Sequence, residues 1–139
     1  MTRRRHAAGP PQRRGAVGDR GSVTLEIVVV FPVVLLLIIG GIQGALYYHA
    51  RSVALAAAQE GARAAAVEGA TSGTGQAAAA AFIAATGGDD VLPGAQVDAT
   101  RTPTTATVSV TGRALTVLAI PGVSLTVTQS AALPVERLT

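Results

Sequence analysis

Arg20-Gly21-Ser22-Val23-Thr24-Leu25-Glu26-Ile27-Val28-Val29-Val30-Phe31-Pro32-Val33-Val34-Leu35-Leu36-Leu37-Ile38-Ile39 sets a single carboxylate at the head of a long apolar run. The run continues to Tyr48, and at about 1.5 Å per helical residue, residues 27–48 have the length to cross a hydrocarbon core of about 30 Å. It exceeds the apolar core of a cleavable signal peptide, about 7–15 residues, so it reads as an anchor. Glu26 is costly there: a carboxylate at membrane depth costs about 2.5–3.5 kcal/mol at a helix centre and less near an interface. Such a residue implies a purpose and a partner.

Charge is distributed unevenly around this run. Up to Gly21 the chain carries six arginines against Asp19; beyond it, five arginines face seven acids. The net +3 of the chain is therefore a basic leader of +5 followed by a weakly acidic remainder of −2. Arginine excess beside a hydrophobic span marks the cytoplasmic side, so the N-terminus is expected inside and the remainder outside. A basic arm for nucleic acid is the alternative, but residues 1–21 contain no aromatic side chain to stack on bases. No nucleic-acid partner is expected.

Gly21 followed by Ser22, with Glu26 fifth counted from Ser22, resembles the processing site of type IV prepilins. Adding Arg20, Pro32 within the apolar run and Tyr47-Tyr48 at its exit, the pattern more narrowly resembles the TadE-like proteins of tight-adherence (Tad) pilus systems. The resemblance is best over about residues 20–67, with a weaker likeness in Ser130-Ala131-Ala132-Leu133-Pro134-Val135-Glu136-Arg137. It implies cleavage after Gly21 by a prepilin peptidase and a role for Glu26 in setting subunit register. It also implies the Tad assembly platform and other pilin or TadE-like subunits as partners, beside membrane lipid. A cut by signal peptidase after the small pair Ala54 and Ala56 is the competing reading of the processing, and a signal-anchored or secreted cell-surface binding domain outside any filament is the competing function.

Pro32 lacks a backbone donor and crowds the carbonyl of Val28, which predicts a bend or a loosened turn. Its use would be flexibility for insertion or filament packing, although proline is also simply frequent in membrane helices. Gly40 and Gly44 form a GxxxG pair on which another helix could approach closely. Tyr47 and Tyr48 belong at the membrane–water boundary, with Arg51 just beyond.

Residues 52–67 are alanine-rich helix formers with Val53, Ala57, Gly61 or Ala64, and Val67 on one face, extending the membrane helix. A helix ending near Gly61 is the shorter alternative. Glu60 and Arg63 are placed to pair at i,i+3. Residues 69–75 read as a turn and 76–86 as a second helix packed through Phe82 and Ile83, closed by Gly87-Gly88. Asp89-Asp90 read as a solvated loop.

The last third changes period. Ala106, Val108 and Val110 alternate with Thr and Ser, as do Val123, Leu125 and Val127, and a shorter strand is expected at 96–100. These predict an antiparallel meander whose apolar face is covered by the alanine-rich helices. Residues 115–120, Leu-Thr-Val-Leu-Ala-Ile, read equally as a strand, a short helix or a lip resting on the membrane.

With 139 residues, no cysteine, no tryptophan, two Phe and two Tyr, the chain has room for one membrane helix and one small domain without a disulfide. His6 and His49 have no companions suited to a metal site or nucleophile, no phosphate-binding glycine motif occurs, and no cofactor or enzymatic activity is implied. The expected fold class is α+β: a long N-terminal transmembrane and juxtamembrane helix, a short second helix and a small antiparallel sheet of about three strands. The expected organisation is a basic leader at 1–21, a transmembrane and extended helix at 22–68, and a small extracytoplasmic α+β domain at 69–139. The expected location is the cytoplasmic membrane, crossed once.

Overall fold

Helix α1, Asp19–Ala66, carries the whole apolar run and the alanine-rich segment after it. A computed structural model of the chain describes residues 19–119 and 121–136. Most of the basic leader, Ile120 and Arg137 lie outside them. After α1 come α2 (Ser72–Ala85), a 3-10 turn (Gly88–Asp90) and three strands: β1 (Gln96–Arg101), β2 (Thr105–Arg113) and β3 (Thr126–Pro134). The strands form one antiparallel sheet in the order β1-β2-β3, the expected α+β arrangement. By internal packing the chain divides between Leu36 and Leu37.

In the unit Leu37–Thr139 the core is built from small side chains. Ala54, Ala57, Ala58 and Ala62 of α1 and Ala79 of α2 are fully buried, together with Leu92, Val108 and Val110. In β2, Ala106, Val108, Val110 and Gly112 face inward while Thr105, Thr107, Ser109 and Thr111 face outward, which is the alternation read from the sequence. The register sets Val97 and Gln129 against Val110, and Ala99 and Ala131 against Val108, so the inward face continues across all three strands. The outer face is hydroxylic, with Thr111 and Thr128 oxygens 3.2 Å apart.

α1 and α2 approach closely at two glycines. A Cβ on Gly61 would lie 2.7 Å from the Gly75 carbonyl oxygen, and one on Gly75 would lie 2.7 Å from both the Ala65 Cβ and the Gly61 carbonyl oxygen. Gly75 is therefore a packing residue and not part of a turn. α2 begins at Ser72, four residues before the expected start, because Thr71 caps it: the Thr71 hydroxyl accepts from the Thr74 N–H at 3.2 Å and the Thr74 hydroxyl accepts from the Thr71 N–H at 3.4 Å. Thr86 ends α2 by donating its hydroxyl to the Phe82 carbonyl at 2.8 Å.

Three further expectations are corrected. Val67 lies beyond the end of α1 and is half exposed; Val53, Ala57 and Gly61 are buried as expected, and Ala62, Ala65 and Ala66 complete that face. Val123 and Leu125 fall outside β3, which starts at Thr126 and runs to Pro134, because pairing with the full length of β2 carries the strand through Gln129, Ala131 and Leu133. The acids at 89 and 90 belong to the 3-10 turn, where Asp89 accepts from the Gly94 N–H at 3.1 Å. The Glu60–Arg63 ion pair forms at 2.8 Å on the exposed side of α1.

Candidate membrane anchor and assembly site

The span Glu26–Ala66 is long and apolar enough to cross a membrane, with a mean hydropathy of 2.6 in its most apolar stretch and none of that stretch buried. Leu36 and Leu37 are 65% and 70% exposed, and Val28 and Phe31 are similarly bare. A helical stretch that is apolar on every side and uncovered among the described residues suits lipid or the surface of other helices. This is the property that defines the site.

Glu26 heads this helix and borders an open groove formed with Ile27, Val30, Phe31 and Val34. Its carboxylate is exposed. Ser22 lies one helical turn before it, and the Gly21–Ser22 bond falls within α1. Pro32 sits inside the helix, which is continuous through it although the proline offers no N–H to the carbonyl of Val28.

Further along, Ile39, Gln43, Leu46 and Ala50 recur at helical spacing and are the residues of this stretch that turn toward the domain. Gly40, Gly41 and Gly44 point elsewhere: a Cβ on any of them would meet nothing within 4 Å. The GxxxG pair is thus an open stripe of backbone. Tyr48 is 69% exposed and Tyr47 less so. His49 is also exposed, and no group of three or more His, Cys, Asp or Glu side chains suited to a metal occurs among the described residues.

Gln43 escaped sequence reasoning. Its Nε2 donates to the Leu115 carbonyl at 2.9 Å, and its Oε1 accepts from the Val117 N–H at 2.9 Å. One amide side chain thereby holds both faces of a loop peptide segment 72 residues away. The available signal was a lone amide inside an apolar run, the kind of group that needs partners wherever water is scarce.

Among the described residues one membrane-length helix, with a carboxylate at its head, precedes a small α+β domain, an arrangement consistent with a membrane-anchored class of protein. Within it, residues 21–63 match the family model of the TadE-like proteins, the family the opening residues resemble. The matched stretch begins at Gly21, takes in Glu26, Pro32, Gly40 and Gly44, and stops in the last turn of α1. The match covers less than half of the chain. No curated protein and no solved structure matches the chain.

Proposed function

We propose that this protein is a pseudopilin or minor pilin of a Tad pilus system, made as a precursor and cut between Gly21 and Ser22 by a prepilin peptidase. The observation that carries the reading is the order Gly21, Ser22, Glu26 at the start of an uncovered membrane-length helix, inside the stretch that matches the TadE-like family. The scissile bond lies close before the apolar run, beside the basic leader that stays on the cytoplasmic side in this reading. Removal of the leader takes away a net +5 and leaves a single-pass anchor with its domain outside the cytoplasm.

The competing cut after Ala56 fits the fold poorly. It would divide α1 between Ala54 and Ala57, both fully buried, and would strip Ala50 and Val53 from the core.

Cleavage creates an α-amino group on Ser22, one turn from Glu26, within the subunit or on a neighbour. In a low-dielectric setting an unpaired carboxylate is costly and a paired one tolerable, so Glu26 acts in assembly more than in folding. Gly40 and Gly44 offer a surface for a neighbouring subunit's helix. The partners are the prepilin peptidase, the Tad assembly platform, other TadE-like subunits and membrane lipid.

The test is recovery of C-terminally tagged protein with the pilus assembly complex from a host that has its own Tad system. Glu26→Val should reach the membrane and be processed as wild type, yet fall about tenfold in recovery, the effect of about 1.4 kcal/mol of lost pairing. Undiminished recovery of processed Glu26→Val would remove this role from the residue.

A further inference from the structure

The connection between β2 and β3 is unlike the other turns of the domain. Residues 114–125 carry no charge, whereas the other turns contain Glu68, Asp89-Asp90 or the threonines at 102 and 104. Four large aliphatic side chains in it face outward: Leu115 is 38% exposed, Val117 50%, Leu118 47% and Val123 55%. An outward apolar cluster on a loop calls for a covering phase.

Its position on α1 identifies that phase. The loop is held at Gln43 by two hydrogen bonds of 2.9 Å, one to each kind of backbone group. Gln43 lies inside the apolar run, on the membrane side of Tyr47 and Tyr48 by about one helical turn, or about 6 Å. Tyrosines of this kind sit at the headgroup level. A loop fastened one turn deeper therefore reaches the boundary between headgroups and acyl chains. The Gln43 amide pairs the Leu115 carbonyl and the Val117 N–H, and the headgroup region supplies water to the loop's other backbone groups, which sets the loop at the interface and not in the hydrocarbon core. Exposed Arg113 stands at the head of the loop, where anionic headgroups would meet it.

We propose that Leu115, Val117, Leu118 and Val123 form a lip that enters the outer interface of the bilayer, with Gln43 as its tether to α1. The occupant of this apolar surface is lipid. The proposal rests on the membrane-anchor reading of α1 and is independent of the pilus assignment.

The chain has no tryptophan, so single Trp probes report unambiguously. Full-length Leu118→Trp, Leu36→Trp and Ala132→Trp are reconstituted separately in phosphatidylcholine vesicles, with and without bromine distributed along the whole length of the acyl chains. The probes at 36 and 118 should emit to the blue and lose most of their emission to bromine, while the probe at 132, on the outer face of β3, keeps its emission. Adding Gln43→Leu to Leu118→Trp should restore much of the lost emission.

Water-like, unquenched emission at 118 beside a quenched probe at 36 overturns the lip and leaves the anchor standing. Blue emission at 118 without bromine quenching means that protein, such as a second copy, covers the loop, and also overturns it. An unquenched probe at 36 overturns the anchor and the lip together. Quenching at 118 that is indifferent to Gln43→Leu rejects the tether.

Discussion

Gly61 and Gly75 show how much depends on a missing methyl group. Alanine at 75 would gain about 1 kcal/mol in helix propensity, but its Cβ would fall 2.7 Å from the Ala65 Cβ and from the Gly61 carbonyl oxygen, atoms that cannot rotate away. Overpacking of this kind costs about 1–3 kcal/mol. Gly75→Ala should therefore lower stability by about 1 kcal/mol net, read as an earlier urea midpoint for the detergent-solubilised full chain. Gly73→Ala is the control: its Cβ meets nothing closer than 3.5 Å, and it should be neutral or slightly stabilising. Equal losses for both would mean that general helix perturbation, not the α1–α2 approach, is being measured. Gly75 was legible as a glycine near a turn, but its role was not, because only the crossing of two helices distant in sequence makes a small residue necessary there.

At the scale of elements, the end of α1 is secured from far along the chain. The Arg101 Nε donates to the Ala65 carbonyl at 2.8 Å and one terminal nitrogen to the Val67 carbonyl at 3.3 Å, while the Glu136 N–H reaches the Ala66 carbonyl at 2.9 Å. These fill carbonyls that a helix end leaves unpaired, and the guanidinium also meets the negative end of the helix dipole. Arg101→Met keeps the apolar stem and removes the charge and donors, so it should cost about 1–2 kcal/mol by the same urea titration. No change in midpoint would show that water replaces the guanidinium without loss.

The elements themselves were unevenly legible. β2 was readable because Val108 and Val110 alternate with Thr and Ser, and the long α1 because its apolar and alanine-rich parts share one helical character. β3 was misplaced: its inward residues after Val127 are Gln129, Ala131 and Leu133, a pattern too weak to compete with Val123 and Leu125, and only the register with β2 fixes it. The start of α2 was missed because a Thr-x-x-Thr cap lacks the acidic partner usually sought at a helix start. At the candidate site, Gly21, Ser22, Glu26, Pro32, Gly40 and Gly44 are candidates that the sequence and its family resemblance offer, whereas Gln43 was not legible, since its partners at 115 and 117 are set by the fold.

For the molecule as a whole, two kinds of surface divide the labour. The apolar part of α1 leaves its large side chains exposed, while the domain closes an alanine-rich core whose largest fully buried side chains are Leu92, Val108, Val110 and Val127. The central claim is that the leader is removed at Gly21 and that what remains is an assembling subunit. Intact-mass analysis and N-terminal sequencing of the protein recovered from pilus-containing membranes of its host test that claim most directly. The predicted result is a chain beginning at Ser22. A chain still carrying the leader, or one beginning near Ala57, would contradict it.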